Sequence, residues 1–182
     1  MKLFSIDVPT LAADHVILRP VRLSDASAID HGASFLDVSR MTSSITHPIV
    51  DGATEAFLSS VLKEDRSEIV WAITWLDNPD KDFLGLISLM VHPIEDAEIG
   101  YWIVPHYWGR GVASAAVQTL VRSNPLDCEA YFGSCFVDNP ASATVMMKSG
   151  FVETGRGRSF SRARDCSVDT REFRCRLRAG SD

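Results

Sequence analysis

The stretch Trp108-Gly109-Arg110-Gly111-Val112-Ala113 decides how this chain is read. It stands between an apolar run that ends near Val104 and an Ala/Val-rich run that begins at Gly111. Two glycines let a backbone turn sharply and come close to a ligand. The helix that follows then offers unpaired N–H groups and the positive end of its dipole. The turn is a candidate anion site suited to a phosphate-bearing group; two glycines ahead of a helix also serve a plain turn or tight packing.

Working outward, Val112, Ala113, Ala116, Val117, Leu120 and Val121 recur at the spacing of one apolar helical face, which predicts a helix packed flat on a sheet. Ahead of the turn, residues 69–76 and 83–91 are apolar strand-like runs separated by Asp77-Asn78-Pro79-Asp80, a turn composition, and read as a hairpin. A third strand, 97–104, follows a turn at His92-Pro93. Nearer the start, Val16-Ile17-Leu18-Arg19-Pro20-Val21 reads as a strand, and Ser24 is a plausible N-cap for a first helix. A second helix is expected from about Gly52 to Arg66. The polar stretch Gly32 to Val50 between them is a long loop of the kind that carries function.

Beyond the glycine-turn helix, residues 131–137 read as a strand. Asn139-Pro140 then opens a helix, with Asn139 at the N-cap and Pro140 at the first helical position, and Gly150 closes it. Residues 151–153 and 171–177 alternate like an edge hairpin with an Arg-rich segment between the arms. The order places the chain in the α+β class, with a mixed, mostly antiparallel sheet of about six to seven strands and about four helices.

A length of 182 residues suits a single domain spanning 1–182, with 1–14 as a lead segment and 178–182 as a tail. The balance of 46% apolar and 23% charged residues is that of a soluble globular protein. A charge within the first ten residues and the lack of any long apolar run predict a cytoplasmic protein with no membrane association. A net charge of −6 argues against a nucleic-acid binder. Cys128, Cys135, Cys166 and Cys175 lie far apart with no Cys-x-x-Cys pair, so no metal site is expected and the thiols should be reduced and buried. Eight arginines fall between Arg156 and Arg178, as a solvated hairpin or a patch for an acidic ligand.

Three segments in this order and spacing resemble the GCN5-related N-acetyltransferases (GNAT), and within them the RimJ/RimL-like ribosomal-protein branch. They are Val16 to Pro20 followed by Leu23-Ser24-Asp25-Ala26; Glu98-Ile99-Gly100-Tyr101-Trp102-Ile103 leading to the glycine turn; and Asn139-Pro140-Ala141-Ser142 leading to Lys148-Ser149-Gly150-Phe151. The resemblance covers most of the chain and implies a three-layer fold and acetyl-CoA as co-substrate. In the family pattern Trp108 takes the Gln/Arg position, Gly111 the glycine and Ala113 the last site. The implied cofactor-binding residues are Ile103, Val104, Trp108, Gly109, Arg110, Gly111, Val112, Ala113, Ser114 and Asn139. Branch members often carry Glu where this chain has Ala115.

Acyl transfer from a thioester to an amine needs a free amine, a donor for the carbonyl oxygen and stabilisation of the departing thiolate. Glu98, set in an otherwise apolar strand where partial burial favours a proton acceptor, is the candidate base; a structural carboxylate paired with an arginine is the other reading. The resemblance implies main-chain donors where the strand ending at Ile103-Val104 splays from its neighbour. Many relatives place a Tyr seven residues after the Asn, but Met146 stands there; Ser142 is the substitute, or simply a serine bonded to its own helix start. A thiol with an ordinary pKa of about 8.5 is a fair leaving group, so a hydrogen-bond donor suffices.

The expected acceptor is a primary amine, either a protein N-terminus or a small molecule. The loop 32–50 and the segment 156–164, with Arg162 and Arg164, are where it should bind; arginines there suit an acidic acceptor better than a polycation. Relatives of the branch are often dimers, so a homodimer is compatible. Two competing readings are a non-catalytic acyl-CoA-binding sensor and a Rossmann dinucleotide binder. The latter lacks the third glycine.

Overall fold

The computed structural model describes residues 8–80, 82–92 and 96–177. Residues 1–7 of the expected lead, Lys81, Pro93 of the expected turn, and the tail 178–182 with Arg178 lie outside the described residues. The chain runs β1 (Leu11–Ala13), β2 (Val16–Pro20), α1 (Ala26–Ala33), α2 (Leu36–Ser39), α3 (Ala53–Val61), β3 (Glu68–Trp75), β4 (Phe83–Val91), β5 (Asp96–Ile103), α4 (Val112–Ser123), β6 (Ala130–Phe136), α5 (Pro140–Lys148), β7 (Val152–Ser161) and β8 (Cys166–Arg176).

The strands form one sheet in the order β1-β2-β3-β4-β5-β6-β8-β7, antiparallel throughout except between β5 and β6. That single parallel contact spans only Asp96↔Ala130, Ala97↔Tyr131 and Glu98↔Phe132. Past Glu98, β5 stays with β4 as far as Ile103↔Gly85, while β6 stays with β8 as far as Phe136↔Thr170. The sheet therefore opens into a V between β5 and β6. An antiparallel sheet with this opening is not the doubly wound sheet of a dinucleotide binder, which removes the Rossmann reading.

Two apolar clusters cover the two faces. Val112, Ala116, Val117 and Leu120 of α4, with Ala143 and Met146 of α5, pack on Trp71, Ile87 and Ile99. On the other face Ile29 of α1 and Leu58 and Val61 of α3 pack on Val70, Ala72 and Leu86. The buried stripe of α4 is Val112, Ala115, Ala116, Val117, Thr119 and Leu120, rotated slightly from the predicted one, with Ala113 and Val121 at its margins. Ala115 sits inside this stripe, so a Glu there would bring a carboxylate into the core.

The motif near the start has a structural job. Asp25 is buried and takes two hydrogen bonds from the buried Arg19, at 2.7 and 2.9 Å, and one from the Arg22 N–H at 2.8 Å. This fork joins β2 to α1, and removing one partner would strand a buried charge. It also corrects the expected cap. A 3-10 turn over Leu23–Asp25 precedes α1, so Asp25 rather than Ser24 holds the N-cap position, and its carboxylate is already engaged.

Other expectations change for physical reasons. The second helix stops at Val61 instead of reaching Arg66, because Lys63-Glu64-Asp65-Arg66 offers no apolar residue to hold another turn. The loop 32–50 contains the short helix α2, and β1 adds an eighth strand too short to show a periodicity. The Arg-rich segment is not a loop between arms. It forms most of the edge strand β7 and the start of β8 beside it, stretches exposed along much of their length, which need no apolar alternation. Cys128, Cys135 and Cys175 are buried, whereas Cys166 at the start of β8 is exposed, and none of the four forms a disulfide among the described residues. Among the described residues no helix is long and apolar enough to cross a membrane.

Candidate active site

The glycine turn is built as its sequence requires. Gly109 and Gly111 have φ of +74° and +77°, a conformation that L side chains adopt only with strain. Gly111 is the N-cap of α4, and Ala115 N–H makes the first helical bond back to Gly111 O at 2.9 Å. The N–H groups of Val112, Ala113 and Ser114 are thus left at the helix start, where the dipole is positive. All three residues line the main cleft with Trp108, Gly109 and Gly111. Arg110 does not line it; its guanidinium lies 5.7 Å from the centroid of the Tyr107 ring.

The cleft has a volume of about 1540 Å³ and runs through the V of the sheet. That exceeds the roughly 300–1,000 Å³ of a site for one small ligand and leaves room for two reactants. Its lining joins Val70, Leu86 and Trp102 on the α1–α3 side to Val112, Ser142 and Met146 on the α4–α5 side.

The strand edge inside the V supplies main-chain donors. Asp96 O accepts from His92 N–H at 3.0 Å, and Val104 N–H donates to Leu84 O at 2.8 Å. In an antiparallel ladder this alternation turns the main-chain groups of even-numbered β5 residues toward β4 and of odd-numbered ones toward β6. Beyond Glu98 β6 has left, so the N–H groups of Tyr101 and Ile103 face the gap. Ile103 O is engaged by Trp108 Nε1–H at 2.7 Å, which ties the glycine turn to the strand end. Val104, expected beside Ile103 as a cofactor contact, is placed elsewhere. Its N–H belongs to β4, and its side chain lies against α1 near Gly32.

Glu98 stands at the last paired position, on the same sheet face as Glu68 and Met90 through the register Glu68↔Met90↔Glu98. It lines the cleft from the α3 side and keeps 45% of its side-chain surface exposed. Its Oε2 is 3.7 Å from His92 Nε2, and no arginine pairs with it among the described residues. Ser142 lies in the first turn of α5. Its N–H donates to Asn139 Oδ1 at 3.1 Å, which gives Asn139 its capping role, and both residues line the cleft. Met146 is buried beneath them.

Ser142 has a neighbour that no sequence spacing indicated. Tyr101 Oη is 2.8 Å from Ser142 Oγ and 3.2 Å from Ser142 O, bridging residues 41 apart in the chain. Burial pushes the Tyr101 phenol well above its ordinary value, which keeps it protonated. Cys135 of β6 lies in the same pocket, and burial also raises its thiol, so it is a neutral group at ordinary pH.

The loop 32–50 and the Arg-rich hairpin meet at the mouth of the cleft. Arg162 N–H donates to Ser43 O at 3.2 Å, and Arg164 Nε–H to Arg40 O at 2.7 Å. Arg164 also forks onto Asp138 at 2.9 and 3.2 Å and lies over the Phe136 ring. It is a latch and not an available cation. Hydrogen bonds from Arg164 hold the Asp138 carboxyl below its usual range. Arg162 lines the cleft, is exposed, and its guanidinium has no ion pair among the described residues.

A glycine turn at a helix start, main-chain N–H groups at a strand splay, a carboxylate on one face and a hydroxyl on the other line one cleft. Residues 15–152 match the family described as acetyltransferase (GNAT) domain, and the chain belongs to this family of acetyl-CoA-dependent N-acetyltransferases. It is 28% identical to the uncharacterized N-acetyltransferase YoaA of Bacillus subtilis over 170 residues, covering 91% of this chain and 95% of that protein. It is 32% identical to the ribosomal-protein-serine acetyltransferase of Escherichia coli over 80 residues, covering 42% of this chain and 45% of that one. The structure of RimL, a ribosomal-protein alpha-N-acetyltransferase in complex with coenzyme A, shares the fold with a TM-score of 0.78, covering 94% of this chain and all of that one at 19% identity. These are relatives of the kind that the three sequence segments resemble.

Proposed function

We propose that the enzyme acetylates a primary amine carrying an apolar body and an anionic group, such as a peptide α-amine, by direct attack on the thioester. One observation carries this reading: Glu98 and Ser142 reach one cleft from opposite faces of the same opened sheet. The start of α4, from Val112 to Ser114, would hold the pyrophosphate of acetyl-CoA, and Asn139 the pantetheine arm. Glu98 takes the proton that the amine loses, directly or through water; an α-amine, with an ordinary pKa of about 7.7–8.0, asks less of that base than a lysine of about 10.4. As the C–N bond forms, the N–H groups facing the gap stabilise the carbonyl oxygen. As the C–S bond breaks, the sulfur keeps the electron pair and Ser142 donates a hydrogen bond to it. Arg162, at the mouth of an apolar half-cleft that includes Ile45, Val50 and Phe57, favours an acceptor with a carboxylate or phosphate over a polyamine.

The test has two parts. Thermal melts with acetyl-CoA, CoA and NAD come first, since a ligand at 100 times its Kd adds about 2.7 kcal/mol of stability. Release of free thiol is then followed with peptides beginning in serine or methionine, with their C-terminal amides, and with apolar amino acids, spermidine and an aminoglycoside. We expect acetyl-CoA and CoA, but not NAD, to raise the melting temperature, and the anionic apolar amines to turn over fastest. Arg162→Ala should raise the acceptor KM roughly tenfold, as for a lost charge-assisted contact, and leave the acetyl-CoA KM alone. Preference for spermidine, or an unchanged acceptor KM in Arg162→Ala, would refute the acceptor assignment.

A further inference from the structure

We propose that Tyr101 is the positioning residue of the leaving-group end of the reaction, donating its phenol hydrogen to Ser142 Oγ so that the serine's own proton is presented to the sulfur. The inference rests on the reading of Ser142 given above and adds a residue to it.

The geometry is specific. A serine in the first turn of a helix ordinarily spends its hydroxyl on a nearby backbone group. Here the Ser142 backbone N–H is held by Asn139 at 3.1 Å, and the hydroxyl is held separately by a group on a different element, Tyr101 Oη at 2.8 Å. Tyr101 belongs to the part of β5 from which β6 has diverged, so its side chain crosses the floor of the V to reach α5. The contact to Ser142 O, at 3.2 Å, is the longer of the two open to the single phenol hydrogen. With that hydrogen on Oγ, the serine proton is free to turn into the cleft.

The chemistry also limits what Tyr101 does. Burial keeps its phenol protonated, so it does not relay a proton. A serine hydroxyl is far less acidic than a thiol, so Ser142 does not give its proton away either. The pair O–H···O–H···S instead forms a chain of donors in which each bond polarises the next, and the sulfur's negative charge is stabilised as the C–S bond breaks. The proton that finally neutralises the thiolate comes from the medium, and the Tyr101 and Ser142 protons stay where they began.

A double-mutant cycle tests this with acetyl-CoA and the panel amine that turns over fastest in the wild type. We expect Tyr101→Phe to lower kcat about tenfold, the size of one hydrogen bond, with acetyl-CoA KM within about twofold. Ser142→Ala should cost at least as much, and the double variant no more than Ser142→Ala alone. Ser142→Thr, which retains a hydroxyl, should recover most of the rate. Additive losses, or a Tyr101→Phe enzyme as fast as wild type beside a crippled Ser142→Ala, overturn the inference and leave the transferase reading intact. A wild-type kcat in Ser142→Ala overturns the reading beneath it, and the inference with it. Should Tyr101→Phe not fold, NMR of the wild type decides. Slow exchange of the phenol proton splits the Tyr101 Cζ signal in mixed light and heavy water, and we expect that splitting to vanish in Ser142→Ala. A single averaged line in the wild type overturns the inference.

Discussion

The two halves of the cleft are made of different materials. The half beside α4 and the end of β5 offers main-chain donors: helix-start N–H groups held open by Gly109 and Gly111, and strand N–H groups freed at Tyr101 and Ile103. The half beneath α2, α3 and the hairpin tip is lined by side chains from remote segments, among them Met41, Phe57, Leu86 and Arg162. Main-chain groups are the same whatever the residue, so the first half depends on conformation and suits a constant ligand. The second depends on residue identity and suits a particular one.

Substitutions can break this contrast, in decreasing order of effect. Glu98→Gln, at the meeting point of the halves, should lower kcat about 100-fold at neutral pH, the lower end of what a general base contributes. The melting temperature should hold, since the side chain is half exposed. Pre-steady-state and steady-state rates on the fastest panel amine check it, and a loss confined to KM would return Glu98 to a structural role.

Gly111→Val attacks the main-chain half. A branched residue at φ +77° costs about 1–2 kcal/mol, so the turn should relax and acetyl-CoA affinity fall about tenfold. Titration calorimetry with acetyl-CoA reads this directly. Acceptor KM should stay put, and equal damage to both substrates would show that the halves are not separable.

Arg164→Ala attacks the scaffold of the side-chain half. It removes the latch to Asp138 and Arg40 O, and we expect a loss of about 1 kcal/mol at most, because Asp138 is 41% exposed and screened. The Asp138 carboxyl is held below its ordinary value, so the latch contributes fully above that value and is lost as the pH falls through the lowered one. Melts of wild type and Arg164→Ala should therefore differ at neutral pH and converge in strong acid. A gap that widens on acidification would contradict this assignment.

How much of this was legible in the sequence follows the same division. The glycine turn, the Asn139-Pro140 cap and the α4 stripe are local patterns, governed by φ, capping and a 3.6-residue period; the first two stand where the sequence put them and the stripe is only slightly rotated. Ser24 did not hold the cap, because Asp25 is drawn into a buried fork with Arg19 that a local reading cannot see. The arms of the β7–β8 hairpin were read only at 151–153 and 171–177, because the exposed stretch between them carries no apolar alternation. Glu98 and Ser142 could be named from the sequence, but their arrival in one cleft could not.

By itself the sequence determined the local elements and, through three spaced motifs, the family. Short-range sterics, capping and hydrophobic period act within a few residues, so they are written where they act. Only the tertiary structure decided that β5 and β6 part after Glu98, that Tyr101 meets Ser142 across 41 residues, and that Arg162 stays available while Arg164 is spent on Asp138. These depend on how distant segments pack into one space, and no spacing along the chain records that.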